Sequence, residues 1–535
     1  MLRWEQFRMG KDKFLRGALI LTVAGLMVKV IGSVNRILLS RLLGGEGIGL
    51  YQMAYPFYLL MLSICSAGVP VAVSIIVAEK VAKDDYAQAH RVFKVTLGLM
   101  AAFGLAFSLI LYGSAGLLVN SGWIRDSRAY YALVVLTPAV FFSSILASFR
   151  GYFQGYQMMT APAVSQILEQ LVRVMTMIGL AYFLLPYGLE YAAAGAAFGA
   201  IPGGLAGLLV LSWFYGRARK QWKEKIDRQI ATEEDSIRVI AKRLFLLAVP
   251  VSCANLLIPV TSSIDMLLVP NALGRAGFGV EAATTLFGYL TGMAQPLMMM
   301  AIIPATSLAA SLVPAVSEAF TLHRSEDILR KTASAFKICM LVVVPASVGM
   351  WSLAAPISGT LYGTMKAAEV IANLAPSIAF LGIFQVTTGA LQGIGKTSIP
   401  MWNMLFGVAL KAFAVWQLAS MASFHILGAA WASNLNFAAV AAVNIFFLYR
   451  NGISFPVKDC LKILAASGCM GAAGKMTAAL VTGKAGIVAG LAAGMAVSVL
   501  VYGAAVMVLG CINREEAGQI PLIRKIVRCC SDKEK

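Results

Sequence analysis

Residues 92–115 of the chain read VFKVTLGLMAAFGLAFSLILYGSA, and Lys94 carries the only charged side chain in this stretch. A helix needs about 20 predominantly apolar residues to cross the hydrocarbon core of a bilayer, and this stretch is long enough. The whole chain of 535 residues is 59% hydrophobic and 13% charged, with a mean hydropathy of +0.78. Soluble domains carry about 25% charged residues, so the sequence predicts an integral membrane protein.

Apolar runs of similar length recur from Phe14 to Cys511 and predict an all-α membrane protein with about fourteen transmembrane helices. The first run is too long for the core of a signal peptide, so we interpret it as a true span. Prolines inside the runs predict kinks, at Pro56, Pro70, Pro250, Pro296, Pro304 and Pro314. The predicted spans cover residues 14–43, 49–78, 92–115, 129–149, 161–185, 191–215, 239–269, 282–317, 334–358, 367–391, 398–421, 425–449, 459–482 and 485–511.

The positive charges are distributed unevenly between the two sides of these predicted spans. Of the 44 Lys and Arg residues, 33 fall at the termini and in alternate connections, whereas the opposite connections hold six. Cytoplasmic segments of membrane proteins carry the excess of Lys and Arg. We therefore expect a multi-pass protein of the plasma membrane with both termini in the cytoplasm. Topology also explains the net charge of +19, so the basic composition does not predict a nucleic-acid partner.

An internal repeat divides the chain. The segment Gly151-Tyr-Phe-Gln-Gly155 with Pro162 recurs as Gly389-Ala-Leu-Gln-Gly393 with Pro400, at a constant offset that also relates Arg173 to Lys411. Each copy contains six predicted spans and therefore enters the membrane in the same orientation, as two parallel lobes with a substrate path between them. The predicted divisions are the N-lobe 1–216, a cytoplasmic basic linker 217–238, the C-lobe 239–450, two further spans within 451–511 and a cytoplasmic tail 512–535.

Two predicted spans carry polar stripes, and ionisable groups in hydrocarbon cost about 2.5–3.5 kcal/mol each on insertion scales. In span 1 the stripe is Gly25, Lys29, Gly32 and Arg36, and in span 5 it is Gln166, Glu169, Gln170 and Arg173. Either stripe could line a wet cavity. Alternatively, Glu169 and Arg173 form an internal pair that only fixes packing, and Arg36 and Arg41 extend to the outer headgroups. Arg150, at the end of span 4, is interpreted as an ordinary cytoplasmic positive charge.

The charges predicted inside the membrane have a net value of +3, from Lys29, Arg36, Arg41, Arg173 and Lys411 against Glu169 and Asp265. A cavity lined by such cations attracts an anion such as a diphosphate, whereas a cation antiporter is expected to carry unpaired carboxylates. The sequence lacks a phosphate-binding loop, metal-ligand spacing among its histidines and a catalytic cluster. We therefore expect neither an enzyme nor a metal or cofactor site, and a coupling ion or the membrane potential stays open.

Several motifs carry a family resemblance, which is densest over residues 14–200. Phe14-Leu-Arg-Gly-Ala-Leu-Ile-Leu-Thr22, Val34-Asn35-Arg36, Gly44-Gly-Glu-Gly-Ile-Gly-Leu-Tyr51, Arg150-Gly-Tyr-Phe-Gln-Gly155 and Ser165-Gln-Ile-Leu-Glu-Gln-Leu-Val-Arg173 resemble the stage V sporulation protein B family. That family belongs to the polysaccharide-exporter branch of the MATE-like and MurJ flippase superfamily. The resemblance implies fourteen helices in two six-helix lobes plus two C-terminal helices.

The resemblance also implies a function. It implies export of an undecaprenyl-diphosphate saccharide, a peptidoglycan precursor for the spore cortex, through a cationic cavity partly supplied by span 1. Lys29 and the Asn35-Arg36 step fall at comparable places, although Lys29 stands where arginine is usual. Implied partners are this lipid-linked saccharide, membrane lipids and cell-wall synthesis enzymes. The alternatives are a MATE-type drug or cation antiporter and a scaffold that recruits cell-wall enzymes without transport.

Overall fold

The computed structural model describes residues 2–229 and 235–511, and within them every regular element is helical. Residues 230–234 of the predicted linker and the predicted tail 512–535 lie outside the described residues. The α-helices are α1 Leu2–Ser66, α2 Val69–Ala82, α3 Tyr86–Asn120, α4 Ala129–Gly155, α5 Thr160–Leu184, α6 Leu189–Phe198, α7 Ala200–Arg228, α8 Ile237–Arg275, α9 Val280–Gly288, α10 Gln295–Ala301, α11 Ile303–Thr321, α12 Ser325–Ser352, α13 Ala354–Tyr362, α14 Ala368–Leu374, α15 Pro376–Gly393, α16 Ser398–Leu418, α17 His425–Arg450, α18 Val457–Ala485 and α19 Ile487–Val508.

Twelve helical segments of the described chain are long and apolar enough to cross a membrane. The first, Ile20–Ala82, has 63 residues, about three times the roughly 20 that one crossing needs, so it crosses twice and covers predicted spans 1 and 2. Helix α8 covers predicted span 7 and is not among the twelve. With the first segment counted as two crossings and α8 included, the helices account for all the predicted spans. The expected all-α membrane fold is confirmed.

A glycine divides the two crossings of α1. Gly44 has φ 67° and ψ −172°, a backbone conformation that interrupts the helix and that glycine adopts without steric cost. Immediately after this break, the carbonyl oxygen of Gly45 faces Gly288 at the end of α9, where an added Cβ would lie 1.8 Å from that oxygen. The backbones of α1 and α9 are therefore in direct contact, and residue 288 has no room for a side chain.

The prolines predicted to kink the spans act in two ways. Pro56, Pro250 and Pro314 lie inside α1, α8 and α11. Pro70, Pro296 and Pro304 instead occupy the first turns of α2, α10 and α11, where a missing backbone N–H costs no helical hydrogen bond. At these three positions a new helix starts, and predicted span 8 is divided into α9, a π-helical turn at Tyr289–Ala294, α10 and α11.

The chain forms two compact units, Met1–Gly292 and Met293–Lys535, with the boundary inside predicted span 8. The first unit has an apolar core where α2, α3, α4, α7 and α8 meet. Helix α7 continues to Arg228, through much of the segment predicted as a linker. Trp222 explains this extension, because its buried ring packs against Tyr152 and Tyr156 with ring centroids 5.0 and 4.9 Å apart. The division into two six-helix repeats stays a prediction.

The connection between α3 and α4 carries a polar cluster in the first unit. Arg128 forms ion pairs with Asp126 at 2.8 Å and with Glu46 at 2.7 Å. The Asp126 carboxylate is buried, and it also accepts a hydrogen bond of 2.8 Å from Thr284 of α9. Arg125 donates to the backbone carbonyls of Pro270 and Phe278 at 3.3 and 3.2 Å. One short connection is thus joined to α1, α8 and α9.

The second unit contains buried asparagines that hydrogen-bond across helices. Asn403 of α16 donates to Asn444 of α17 at 2.7 Å, and Asn444 donates to Thr387 and Thr388 of α15 at 3.3 and 3.1 Å. Interhelical hydrogen bonds of this kind hold helices together in lipid, where apolar surface gives little association energy. The network therefore joins three helices that correspond to predicted spans 10, 11 and 12.

Candidate functional site

The polar face of α5 is the basis of the candidate site. Glu169 and Arg173 are one turn apart and therefore project from the same side of the helix. Other faces of α5 carry exposed apolar side chains, among them Met175 and Phe183. Helix α4 precedes α5 through the short connection 156–159, and we refer to these two consecutive helices as the α4–α5 hairpin.

The hairpin brings two arginines to one carboxylate. Arg173 Nη2 donates to Glu169 Oε1 at 2.5 Å, and Arg150 Nη2 of α4 donates to Glu169 Oε2 at 2.5 Å. Arg150 Nη2 also lies 3.3 Å from the hydroxyl oxygen of Ser165. The side chains of Arg150, Glu169 and Arg173 are 20%, 14% and 17% exposed, so the whole cluster is largely buried. Two cations and one anion give it a net charge of +1.

Both guanidinium groups keep unused hydrogen-bond donors. The Nε atoms of Arg150 and Arg173 are buried and have no hydrogen-bond partner. Buried donors are normally satisfied, so these two N–H groups are available to an acceptor that reaches them. Guanidinium groups bind carboxylates and phosphates through pairs of parallel N–H donors. The cluster can therefore accept a further oxyanion in addition to Glu169.

A cavity of about 310 Å³ lies beside the cluster and is lined by Arg150, Glu169 and Arg173. Its remaining polar lining includes Tyr55, Tyr58, Ser63, Ser66 and Ser143. The hydroxyls of Tyr58 and Ser143 are 3.4 Å apart. Tyrosine rings with a polar hydroxyl offer both an apolar face and hydrogen bonds. The volume is at the lower end of the range for small-ligand pockets, about 300–1,000 Å³.

The polar stripe of α1 contacts the polar stripe of α5 at Gly32. A Cβ placed on Gly32 would lie 3.3 Å from Nε2 of Gln170. Asn35 is buried and donates to the sulfur of Met177 at 3.4 Å. Arg36 lies over the ring of Tyr55, 5.9 Å from its centroid, and Tyr55 is one of the residues that line the cavity.

Two predicted site residues remain, Lys29 and Lys411. Lys29 is exposed on α1, two turns before Arg36. Lys411 is buried in α16 of the second unit, with 3% of its surface exposed. The internal Glu169–Arg173 pair considered from the sequence is present, but it forms only half of the charge cluster. The assignment of these residues to substrate binding stays a prediction.

Arg150 is the functional candidate that the sequence interpretation missed. It lies inside α4, five residues before the helix ends at Gly155, and its guanidinium points into the hairpin. The sequence did contain a signal. In an antiparallel hairpin that turns at 156–159, Arg150 and Ser165 are nearly equidistant from the turn and therefore lie at the same level, with Glu169 one turn further along α5.

The family of the chain follows from comparison with known proteins. A family model described as "Polysaccharide biosynthesis protein" matches residues 14–320, which is more than half of the chain. The chain belongs to this family. The part of the chain that matches the family model includes α4 and α5, and with them the entire Arg150–Glu169–Arg173 cluster.

Two curated proteins of Bacillus subtilis (strain 168) are similar over most of their length. The chain is 29% identical to Stage V sporulation protein B over 522 residues, which cover 97% of this chain and 100% of that protein. It is 28% identical to the protein named Lipid II flippase MurJ over 484 residues, 87% of this chain and 88% of that one. The resemblance expected from the sequence motifs is confirmed.

Solved structures support the fold. The structure described as Lipid II flippase MurJ in an inward closed conformation matches with a TM-score of 0.67 and 16% identity, covering 92% of this chain and 98% of that one. An inward-facing MATE family multidrug resistance transporter matches with a TM-score of 0.65 and 16% identity, over 81% of this chain and 98% of that one. The expected MATE/MurJ-like architecture is confirmed.

Proposed function

We propose that the protein is a flippase that moves an undecaprenyl-diphosphate saccharide, a peptidoglycan precursor for the spore cortex, across the plasma membrane. One observation carries this proposal: the buried Arg150–Glu169–Arg173 cluster is net positive, borders a cavity and keeps two unused guanidinium donors. Membership of the polysaccharide biosynthesis family supports the saccharide, and the relative named as a lipid II flippase supports the movement of a lipid-linked one.

In the proposed mechanism the diphosphate of the substrate binds to Arg150 and Arg173. Arg36, over the ring of Tyr55, and Lys29 attract the same anion, and Asn35 and Lys411 are proposed as further substrate-binding residues. The hydroxyls of Tyr58 and Ser143 are suited to hydrogen bonds with a sugar. The protein then alternates between access to the cytoplasm and access to the outer face, while the lipid tail stays in the bilayer. The excess of Lys and Arg in alternate connections supports cytoplasmic termini.

The charge cluster favours this function over the MATE-type cation antiporter considered from the sequence. A cation antiporter is expected to hold a carboxylate that is available to a proton, sodium ion or cationic drug. Glu169 instead accepts hydrogen bonds from two arginines, which makes the surroundings of its carboxylate unfavourable for a cation. The named relatives with a stated activity are a flippase and a transporter, in agreement with the prediction that the chain is not an enzyme.

The decisive experiment is a flipping assay in proteoliposomes with defined lipid-linked precursors. Wild-type protein is expected to expose an undecaprenyl-diphosphate disaccharide at the opposite face, and the double variant Lys29→Ala, Arg173→Ala is expected to lose this activity at unchanged protein levels. The same double variant should fail to complement a flippase-deficient strain. Wild-type activity in the double variant would refute the site. Transport of cationic dyes instead of the lipid-linked saccharide would refute the proposed function.

A further inference from the structure

The carboxylate of Glu169 bridges the guanidinium groups of Arg150 and Arg173. Each of its two oxygens accepts a hydrogen bond of 2.5 Å from a different arginine, Oε2 from Arg150 and Oε1 from Arg173. A phosphate group presents the same kind of charged oxygens to the same donors. With Glu169 in place, the two arginines are therefore already bridged by an anion that belongs to the protein.

The bridge is incomplete, which leaves room for exchange. Each arginine donates to Glu169 through Nη2, and both Nε atoms are buried without a partner, so the paired Nε and Nη2 contact that the fork geometry allows is not made. A diphosphate carries more charge and more acceptor oxygens than one carboxylate. It can therefore accept hydrogen bonds from donors that Glu169 leaves unused. The cavity lined by the same three side chains gives it access to these donors.

We infer that Glu169 is an exchangeable counter-ion, which holds Arg150 and Arg173 when the site is empty and is displaced by the diphosphate of the substrate. This role rests on the proposed function and assigns to Glu169 the control of the affinity for the diphosphate. Without Glu169, two buried cations would face each other at a high electrostatic cost in the empty protein. With it, the substrate must compete for the arginines, and its release after transport is helped by the return of the carboxylate.

The inference predicts that the removal of the carboxylate from this buried charge cluster tightens binding instead of weakening it. In Glu169→Gln, inorganic pyrophosphate should bind the purified protein at least tenfold more tightly than in wild type, because the competing charge is gone. Glu169→Asp keeps the charge but is one methylene shorter and should bridge both arginines less well, so it should bind more tightly than wild type and less tightly than Glu169→Gln. Arg150→Gln should bind at least tenfold more weakly.

Calorimetric titration with inorganic pyrophosphate and with farnesyl diphosphate tests these expectations at constant salt. Glu281→Gln is the matched control, because Glu281 is an exposed carboxylate of α9 outside the cluster, and its affinity should equal that of wild type. Glu169→Asp keeps the test valid if Glu169→Gln folds poorly. In the flipping assay, Glu169→Gln should be slower than wild type at saturating substrate, because release then limits turnover.

The outcomes separate the two proposals. Unchanged or weaker pyrophosphate binding in both Glu169 variants, with wild-type binding intact, would overturn the exchange and leave the proposed function standing. Tighter binding of farnesyl diphosphate alone would also overturn it, since the prenyl chain and not the diphosphate would then carry the effect. The absence of diphosphate binding in wild type and in all variants would overturn the proposed function together with the exchange.

Discussion

The hydroxyl of Thr284 donates a hydrogen bond of 2.8 Å to the buried carboxylate of Asp126. The same carboxylate accepts hydrogen bonds from Arg128 at 3.1 Å from Nε and 2.8 Å from Nη2. Burial raises the pKa of the Asp126 carboxyl, but the hydrogen bonds from Arg128 and Thr284 outweigh burial, so its pKa lies below the ordinary value. The connection between α3 and α4 is therefore held by a charge that depends on pH.

Acidification is expected to weaken this connection. Because the folded pKa of Asp126 is lowered, its contribution to stability is complete above the ordinary aspartate pKa of about 3.9 and is lost as the pH falls through the folded value. Thermal unfolding in detergent should show a steeper loss of Tm below about pH 4 in wild type than in Asp126→Asn. Glu326→Gln, which changes an exposed carboxylate, should follow wild type. Identical acid profiles for Asp126→Asn and wild type would contradict this role.

Because Gly45 and Gly288 are in close contact, we expect that one methyl group added at Gly288 strongly lowers the stability of the fold. In Gly288→Ala the new Cβ would lie 1.8 Å from the Gly45 carbonyl oxygen, and a backbone atom cannot rotate away as a side chain can. We expect a loss of about 3 kcal/mol of stability, seen as a large drop in folded yield by size-exclusion chromatography. Gly113→Ala, which meets no atom within 4 Å, is the control. Wild-type yield of Gly288→Ala would show that α1 and α9 are further apart.

The asparagine network of the second unit predicts a smaller effect. Asn444→Leu removes two donated hydrogen bonds and leaves the Asn403 amide without its acceptor. Interhelical hydrogen bonds in membranes contribute about 0.6 kcal/mol on average and up to about 1.7 kcal/mol. We expect a destabilisation of about 1–3 kcal/mol, because an unsatisfied buried amide adds its own cost. Thermal unfolding measures it, and Asn451→Ala at the exposed end of α17 should have less effect.

Arg150 is expected to be required for transport although it lies at the edge of a predicted span. Arg150→Ala should lower the flipping rate at least tenfold, because Glu169 and Arg173 alone form a neutral pair. Arg150→Lys should keep part of the rate, since lysine supplies the charge without the planar fork. Lys223→Ala removes an exposed cation from α7 and should leave the rate unchanged. A normal rate in Arg150→Ala would mean that this arginine has only a packing role.

The crossings of the membrane and the polar stripes of α1 and α5 were predictable, because hydrophobic length and helical spacing are local properties of the sequence. Gln170 and Gly32 lie on these stripes, and the structure brings them together. The ion pair of Arg150 with Glu169 and the close contact of Gly45 with Gly288 depend on how different helices pack together. The spacing of residues within one span does not predict such contacts. The helix starts at Pro296 and Pro304 were missed because a proline that bends a helix and one that begins a helix look alike in sequence.

The sharing of the Glu169 carboxylate by two arginines also affects how the chain is inserted into the membrane. Each ionised side chain that enters the bilayer costs about 2.5–3.5 kcal/mol on insertion scales. Within α5, Glu169 and Arg173 offset each other one turn apart, but the sequence of α4 contains no acidic residue to offset Arg150. Arg150 finds its carboxylate only when α5 is beside it. The α4–α5 hairpin is therefore the smallest piece of this region in which each arginine has a carboxylate partner, and we expect the two helices to leave the translocation machinery as a pair.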